Sequence, residues 1–266
     1  MGNFARLQCP STHTKKRTEL TLAVPRIKTA ILLPTLLLAL IIALMTATCT
    51  TVGVHDPEGI KRIDFGEPEE IRFCILLDEG VSEDQAKNLM AKVSEEFSLY
   101  GLVVKVPWMR PWVRHDFFMQ GLMEDVWSKS LEPPCDRLLA LVGRNIGDFL
   151  FGLLGMEALG AADTITFTRG DVVARRVSLA QLFVAPEQTI VHESYHLLGC
   201  VHKLKLFNCY THIRDLKQAK RTNRARGEDF FPGLSVQGVP INSRQEADSL
   251  VHGAVKRIQA ERAAGR

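Results

Sequence analysis

The chain has 266 residues, of which 46% are hydrophobic and 24% are charged, and its formal net charge is +3. This is an ordinary globular composition, long enough for one sizeable core or at most two small ones, and we expect one domain. The small net charge, without a face of clustered basic residues and stacking aromatics, argues against nucleic acid as a partner.

An uncharged apolar segment, Thr29 to Thr48, lies near the N-terminus, and mostly basic residues precede it. By the positive-inside rule this arrangement leaves the N-terminus in the cytoplasm and exports the rest of the chain. The segment is long enough for an uncleaved span of about 20 residues, yet it ends in small residues as a signal peptide does. Residues 1–49 are therefore predicted to be a signal or membrane-anchor segment.

Cys49 adds a third possibility for this segment. Thr46 to Cys49 resembles the bacterial lipoprotein cleavage box, in which the cysteine is acylated, although Thr48 departs from the usual small residue. Lipidation of Cys49, a retained single span and cleaved secretion into the periplasm or the extracellular space all stay open. In the first two cases the membrane is a partner, through the N-terminal segment or through the lipid.

Residues 50–70 carry Gly, Pro and Asp with little periodicity, which predicts a linker in front of a domain over 71–266. The apolar run Ile71 to Leu77 predicts a strand buried on both sides. Ser82 and Gln85 form a capping box, and apolar residues at helical spacing follow until Gly101, so a helix is predicted there.

Two more strands and a second helix follow in the predicted order. They are expected over Leu102 to Val106 (strand), Phe117 to Trp127 (helix) and Arg137 to Val142 (strand). This order favours an α/β or α+β fold with a mixed sheet that has parallel members and helices packed on it. Thr164 to Thr168 alternates polar and apolar residues, which predicts an edge strand able to pair with an extended peptide.

Residues 192–202 form the pattern H-E-x-x-H-x-x-G-x-x-H. On a helix, His192 and His196 lie one turn apart on the same face, so both imidazoles can bind one zinc ion. Gly199 allows the helix to end in a left-handed conformation and reverse, which brings His202 back as the third ligand.

Three protein ligands leave a fourth position for water, as expected of a catalytic zinc site rather than a structural one. Glu193 is turned away from the histidine pair on the helix. This position suits a general base that holds the water better than it suits a further ligand.

The C-terminal part is predicted to be helical. Ile213 to Arg226 is basic and predicts a solvated helix. Ser243 and Glu246 form another capping box, and the apolar stripe that follows, Ala247 to Ile258, predicts a closing helix that docks on the core.

At residues 192–202 the sequence resembles the metzincin metallopeptidases. Phe149 to Gly152 leading to Thr164 to Arg169, with a cysteine after the third histidine, is similar to the archaemetzincin pattern. The resemblance covers roughly Ile71 to Phe231 and is strong only over the motif. It implies a metzincin-like fold whose active-site helix carries the motif.

The resemblance also implies the roles of the site residues. His192, His196 and His202 would hold one catalytic zinc ion, and Glu193 would act as base and proton shuttle. Tyr210 is a candidate for stabilising the oxyanion, as tyrosines do in some metzincins, with plain packing as the alternative.

One feature of the family is missing. Metzincins place a methionine in a tight turn beneath the zinc, downstream of the third histidine, whereas the last methionine here is Met156. The hydrophobic floor is therefore expected from other residues, around Cys209 and Tyr210 or around Phe230 and Phe231.

Export would place four of the six cysteines in an oxidising compartment. A Cys200–Cys209 disulfide is predicted, because the metal motif holds one end and a short loop closes it. A Cys74–Cys135 disulfide would follow by elimination, with free buried cysteines as the equal alternative.

Together these features predict an exported zinc metallopeptidase whose partner is a peptide or protein substrate. The alternative is a zinc-binding module, catalytically weak or inactive, that keeps the site for binding a partner; the missing methionine motivates it. The sequence predicts neither a cleavage preference nor an oligomeric state.

Overall fold

The computed structural model describes residues 57–115, 119–143, 159–174, 185–202 and 206–265. In chain order their elements are α1 Pro57–Lys61, β1 Glu69–Leu77, α2 Glu83–Ser98, β2 Leu102–Lys105, β3 Met109–Pro111, α3 Met119–Ser128, β4 Arg137–Val142, β5 Gly160–Ala162, β6 Arg169–Val173, α4 Pro186–His196, α5 Leu206–Ala225, β7 Gly233–Leu234, β8 Pro240–Ile241 and α6 Arg244–Ala263.

Six of the strands form one mixed sheet with the order β2-β1-β4-β6-β5, and β3 pairs with the far end of β1. The pairs of β1 with β2, β3 and β4, and of β4 with β6, are parallel. β5 runs antiparallel to β6 at the end of the described sheet. The predicted mixed sheet with parallel members and packed helices is therefore confirmed. β7 and β8 form a separate hairpin.

The first strand and helix form where local sequence signals place them. Every residue of β1 except Glu70 is buried, as expected for a central strand covered on both faces. The Ser82 hydroxyl caps α2 by accepting the backbone N–H of Gln85 at 3.2 Å. The Gln85 side chain donates to the carbonyl of Ala174 instead of closing the reciprocal bond of a capping box, and so ties α2 to the end of β6.

The predicted edge strand Thr164 to Thr168 is wrong, because these residues form a turn around the buried Asp163. The Asp163 carboxylate accepts five consecutive backbone N–H groups, from residues 165 to 169, at 2.5–3.1 Å. Phe167 has a φ of 53°, which is uncommon for a residue with a side chain. Backbone donors that bond a carboxylate cannot pair with a neighbouring strand. The outer strand next to β6 is instead β5.

The C-terminal helices both pack on the domain. α5 is not simply solvated as predicted, since Ile213 and Leu216 are in the core. Its lysines are accommodated by partners: Lys217 Nζ donates to the carbonyl of Tyr100, and Lys220 Nζ to Asp229, each at 2.7 Å. α6 is capped by Ser243 and, as predicted, buries an apolar face, comprising Ala247, Val251, Ala254 and Val255.

Within the described ranges, no helix has the length and apolar character needed to cross a membrane. Residues 1–56, which include the predicted signal or anchor segment, Cys49 and the first part of the linker (residues 50–56), lie outside the described residues. Phe149 to Gly152, part of the archaemetzincin-like pattern, also lie outside them.

Candidate metal centre

Helix α4 carries the first half of the motif, and its end is shaped as the sequence predicts. Gly199 has a φ of 78° and donates its N–H to the carbonyl of His196 at 2.8 Å, while Cys200 donates to Tyr195 at 3.1 Å. A Cβ on Gly199 would also lie 2.5 Å from Leu234 Cδ2. Glycine is therefore required here by backbone conformation and by packing.

The reversal brings the three motif histidines together. The nearest ligand atoms of His192, His196 and His202 all lie within 4.8 Å of one another, and the Nε2 atoms of His192 and His196 are 3.2 Å apart. The ring of His202 lies 4.7 Å from that of His196 and 5.1 Å from that of His192, between centroids. His202 is exposed and the other two are half-buried. This cluster can hold a metal ion at an accessible position.

A hydrogen bond sets the tautomer of His196. Its Nδ1 bonds the backbone carbonyl of Cys200. Because a carbonyl oxygen only accepts, Nδ1 must carry the hydrogen, and Nε2 keeps a lone pair directed at the other histidines. Burial lowers the pKa of His196 to about 4, so its ring is neutral, the form that binds a metal.

Glu193 lies on the same helix and is 7% exposed. Burial raises its pKa to about 8, and the neighbouring Asp171 carboxyl adds to the shift. A carboxyl group whose pKa is near neutral can both take up and release a proton under physiological conditions.

Asp171, on β6, is a site residue that the sequence did not reveal. It is fully buried, burial raises its pKa to about 7, and neither of its carboxyl oxygens has a hydrogen-bond partner among the described residues. The only signal in the sequence is an acid between Gly170 and two valines, in a short strand that also holds Arg169. That signal does not say which helix the acid faces.

The end of α4 is held by the segment Phe231 to Leu234. Arg137, fully buried on β4, donates to the carbonyl of Leu197 at 2.7 Å, and also to those of Phe231 at 2.9 Å and Pro232 at 2.6 Å. The Leu234 side chain packs against Gly199. Arg137 thus joins the residue after α4 to Phe231 and Pro232; whether Phe230 and Phe231, or Cys209 and Tyr210, form a hydrophobic floor beneath a metal stays a prediction.

Tyr210 lies in the core instead of on an open surface. It is 1% exposed, and its ring lies 5.7 Å from that of Tyr100, between centroids. The Tyr100 hydroxyl is 2.5 Å from that of Tyr195, which also bonds Glu96. Tyr210 thus belongs to a buried tyrosine cluster behind α4, a position that fits the packing alternative.

Both predicted disulfides are present, Cys74–Cys135 and Cys200–Cys209. The second joins residues 9 positions apart and ties the turn before His202 to α5. The backbone of Cys200 also holds His196, so this disulfide is connected to two of the three histidines.

Replacing both Cys200 and Cys209 by serine is expected to weaken metal binding by the three histidines about 10–100-fold, the usual effect of changing groups that support metal ligands. The open turn would let His202 and the Cys200 carbonyl move. The measurement is competition with a chromophoric chelator at a temperature where the variant stays folded. The matched control replaces Cys74 and Cys135, which lie in a hydrophobic cluster that contains none of the motif residues; it should lose stability but keep its metal affinity. Equal affinities in both variants would show that the turn does not need its disulfide.

No protein-family model matches this chain, and no curated protein sequence is significantly similar to it. The candidate site therefore depends on the motif and on the geometry of the described residues.

Proposed function

We propose that this protein is a zinc-dependent metallopeptidase of the metzincin type, similar to the archaemetzincins. We further propose that it is exported, and that its N-terminal segment or a lipid on Cys49 holds it at a membrane. The observation that carries the enzymatic proposal is the convergence of His192, His196 and His202 at a helix end that reverses at Gly199, on the helix that also carries Glu193.

The donor set fits zinc. Three neutral imidazoles with one position left for water are the arrangement of catalytic zinc sites. Sites that select magnesium or calcium are instead formed by carboxylate and other oxygen ligands. Bound zinc would supply Lewis-acid chemistry, which polarises a carbonyl group and makes water a better nucleophile.

The chain's own residues would move the proton. Glu193 takes one proton from the attacking water as the new carbon–oxygen bond forms, and delivers it to the leaving nitrogen as the peptide carbon–nitrogen bond breaks. Burial raises its pKa, which makes the carboxylate a stronger base for the first transfer. Its burial keeps bulk water from competing for the proton.

The substrate would lie along β5, Gly160–Ala162. This strand is the end member of the described sheet, runs antiparallel to β6 and contacts α4. An extended peptide can add to such an edge through backbone hydrogen bonds. β5 thus takes the role that the sequence assigned to Thr164 to Thr168.

The first test is the zinc content of the purified full-length protein. We expect one zinc ion per chain in the wild type, none in His196→Ala and a full complement in His115→Ala, an exposed histidine outside the cluster. The zinc-loaded protein should cleave members of a mixed fluorogenic peptide library, lose this activity with a chelator and regain it with added zinc. A folded wild-type protein that takes up no zinc would overturn the proposal.

A further inference from the structure

The backbone of β5 touches Glu193 at Gly160. If Gly160 carried a Cβ, this atom would lie 2.5 Å from Cγ and 2.7 Å from Cδ of Glu193, and its third neighbour would be the Asp171 carbonyl oxygen at 2.7 Å. Carbon atoms in contact are normally about 3.5–4.0 Å apart. The Glu193 side chain therefore occupies the space that any side chain at position 160 would need.

The glycine is not needed for the shape of the strand. Gly160 is not among the glycines with positive φ, so its backbone conformation is open to other residues. A glycine also weakens a strand, since it packs nothing and loses more entropy on folding than other residues do. The close approaches of the Glu193 side chain and of the Asp171 carbonyl oxygen are the remaining structural reasons for glycine at this position.

Of the two neighbours, the Glu193 side chain is the one free to yield. The pair β5–β6 is held by backbone bonds at both of its ends, from Val173 to Leu159 and from Asp163 to Arg169, each at 2.8 Å. The Asp171 carbonyl belongs to this braced pair. A new side chain at position 160 would therefore displace the Glu193 carboxyl, which relieves two of the three contacts, and would leave a short contact with the Asp171 carbonyl within the strand pair.

We propose that Gly160 is a positioning residue: its bare backbone sets where the Glu193 carboxyl lies relative to the strand along which the peptide binds. The inference rests on the proposed function, because it assigns to one glycine the contact between the general base and the substrate strand. Gly160 itself would take no part in proton transfer or zinc binding.

The experiment compares Gly160→Ala with Gly170→Ala. Gly170 lies on the same strand pair, but its added Cβ would meet Ala161 O at 2.9 Å and Leu197 Cδ2 at 3.3 Å, not Glu193. We expect kcat for peptide hydrolysis to fall about 10–100-fold in Gly160→Ala, as misplacement by about 1 Å can do. KM should change little, zinc content should stay at one per chain, and Gly170→Ala, which crowds the same strand pair without meeting Glu193, should lose less kcat than Gly160→Ala.

Crystal structures of the two variants test the inference without any activity. The Glu193 carboxyl should be displaced by about 1 Å or more in Gly160→Ala and stay in place in Gly170→Ala, as the contact distances require. If the wild type binds zinc but cleaves no peptide, the proposed function fails while this comparison still decides the role of Gly160. An unmoved carboxyl in Gly160→Ala, or equal losses of kcat in both variants, would overturn the inference.

If Gly160→Ala folds poorly, the inference is tested by thermal unfolding of Gly160→Ala, Glu193→Ala and the double variant. Crowding at this position should lower the unfolding temperature by roughly 2–10 °C in the wild-type background. In a Glu193→Ala background, which removes two of the three contacts and leaves the one with the Asp171 carbonyl oxygen, the same substitution should lower the unfolding temperature less. Equal shifts in both backgrounds would show that Gly160 does not act through Glu193.

Discussion

Replacing Glu193 by glutamine is expected to lower kcat for peptide hydrolysis by about 10²–10⁴-fold, the usual contribution of a positioned general base. Glutamine has nearly the same shape and fills the same space beside Gly160 and Asp171, but its amide cannot accept the proton. Zinc content should stay at one per chain, because the three histidines are untouched. Steady-state kinetics with a peptide that the wild type cleaves, together with metal analysis, measure both quantities.

The same variant separates the proposed enzyme from its alternative. If the protein were a zinc-binding module whose role is to bind a partner, Glu193→Gln would still bind zinc and that partner. The wild type would then show no peptide cleavage that a chelator abolishes. If Glu193→Gln kept the wild-type kcat, Glu193 would not be the general base. Loss of zinc would instead make it a metal ligand.

The motif could be predicted because its geometry is local. His192, Glu193 and His196 belong to one helix, and the glycine cap at Gly199 fixes the reversal that brings His202 back. All of this lies within 11 consecutive residues, so helical geometry and chain connectivity are sufficient. The cap of α2 at Ser82 was predictable for the same reason.

The surroundings of Glu193 could not be predicted, because they depend on contacts between distant parts of the chain. Gly160 and Asp171 meet Glu193 only through the pairing of β5 with β6 and the packing of α4 on both. Apolar periodicity indicates that a strand is buried, but not which helix its residues face.

The misassigned strand at Thr164 to Thr168 shows a limit of alternation patterns. A polar–apolar alternation is typical of a half-buried strand, but it is also compatible with a turn whose donors are all bonded by one side chain. The sequence feature that indicates a turn is Asp163, immediately before Thr164. Its carboxylate bonds the backbone N–H groups that a strand would offer to a neighbour.

The largest loss of stability is expected at Arg137. This fully buried guanidinium donates to four backbone carbonyls, those of Asp136, Leu197, Phe231 and Pro232, at 2.6–2.9 Å. Methionine approximates its length but donates nothing. Each buried carbonyl that loses its donor costs about 1–3 kcal/mol. Burial disfavours the charged guanidinium and lowers the pKa of Arg137 to about 10. Removing this buried charge therefore offsets part of the loss.

We therefore expect Arg137→Met to lower the free energy of unfolding of the metal-free protein by about 3–5 kcal/mol, measured by urea denaturation. Arg110→Met is the matched control: Arg110 pairs with Glu132 at 3.0 Å, but both side chains are more than half exposed, so the change should be about 0–1 kcal/mol. Losses below 1 kcal/mol in both variants would contradict this assignment. Because Leu197 directly follows His196, Arg137→Met should also weaken zinc binding, and Arg110→Met should not. A loss of stability with unchanged zinc affinity would mean that Arg137 supports the fold but not the position of the histidines.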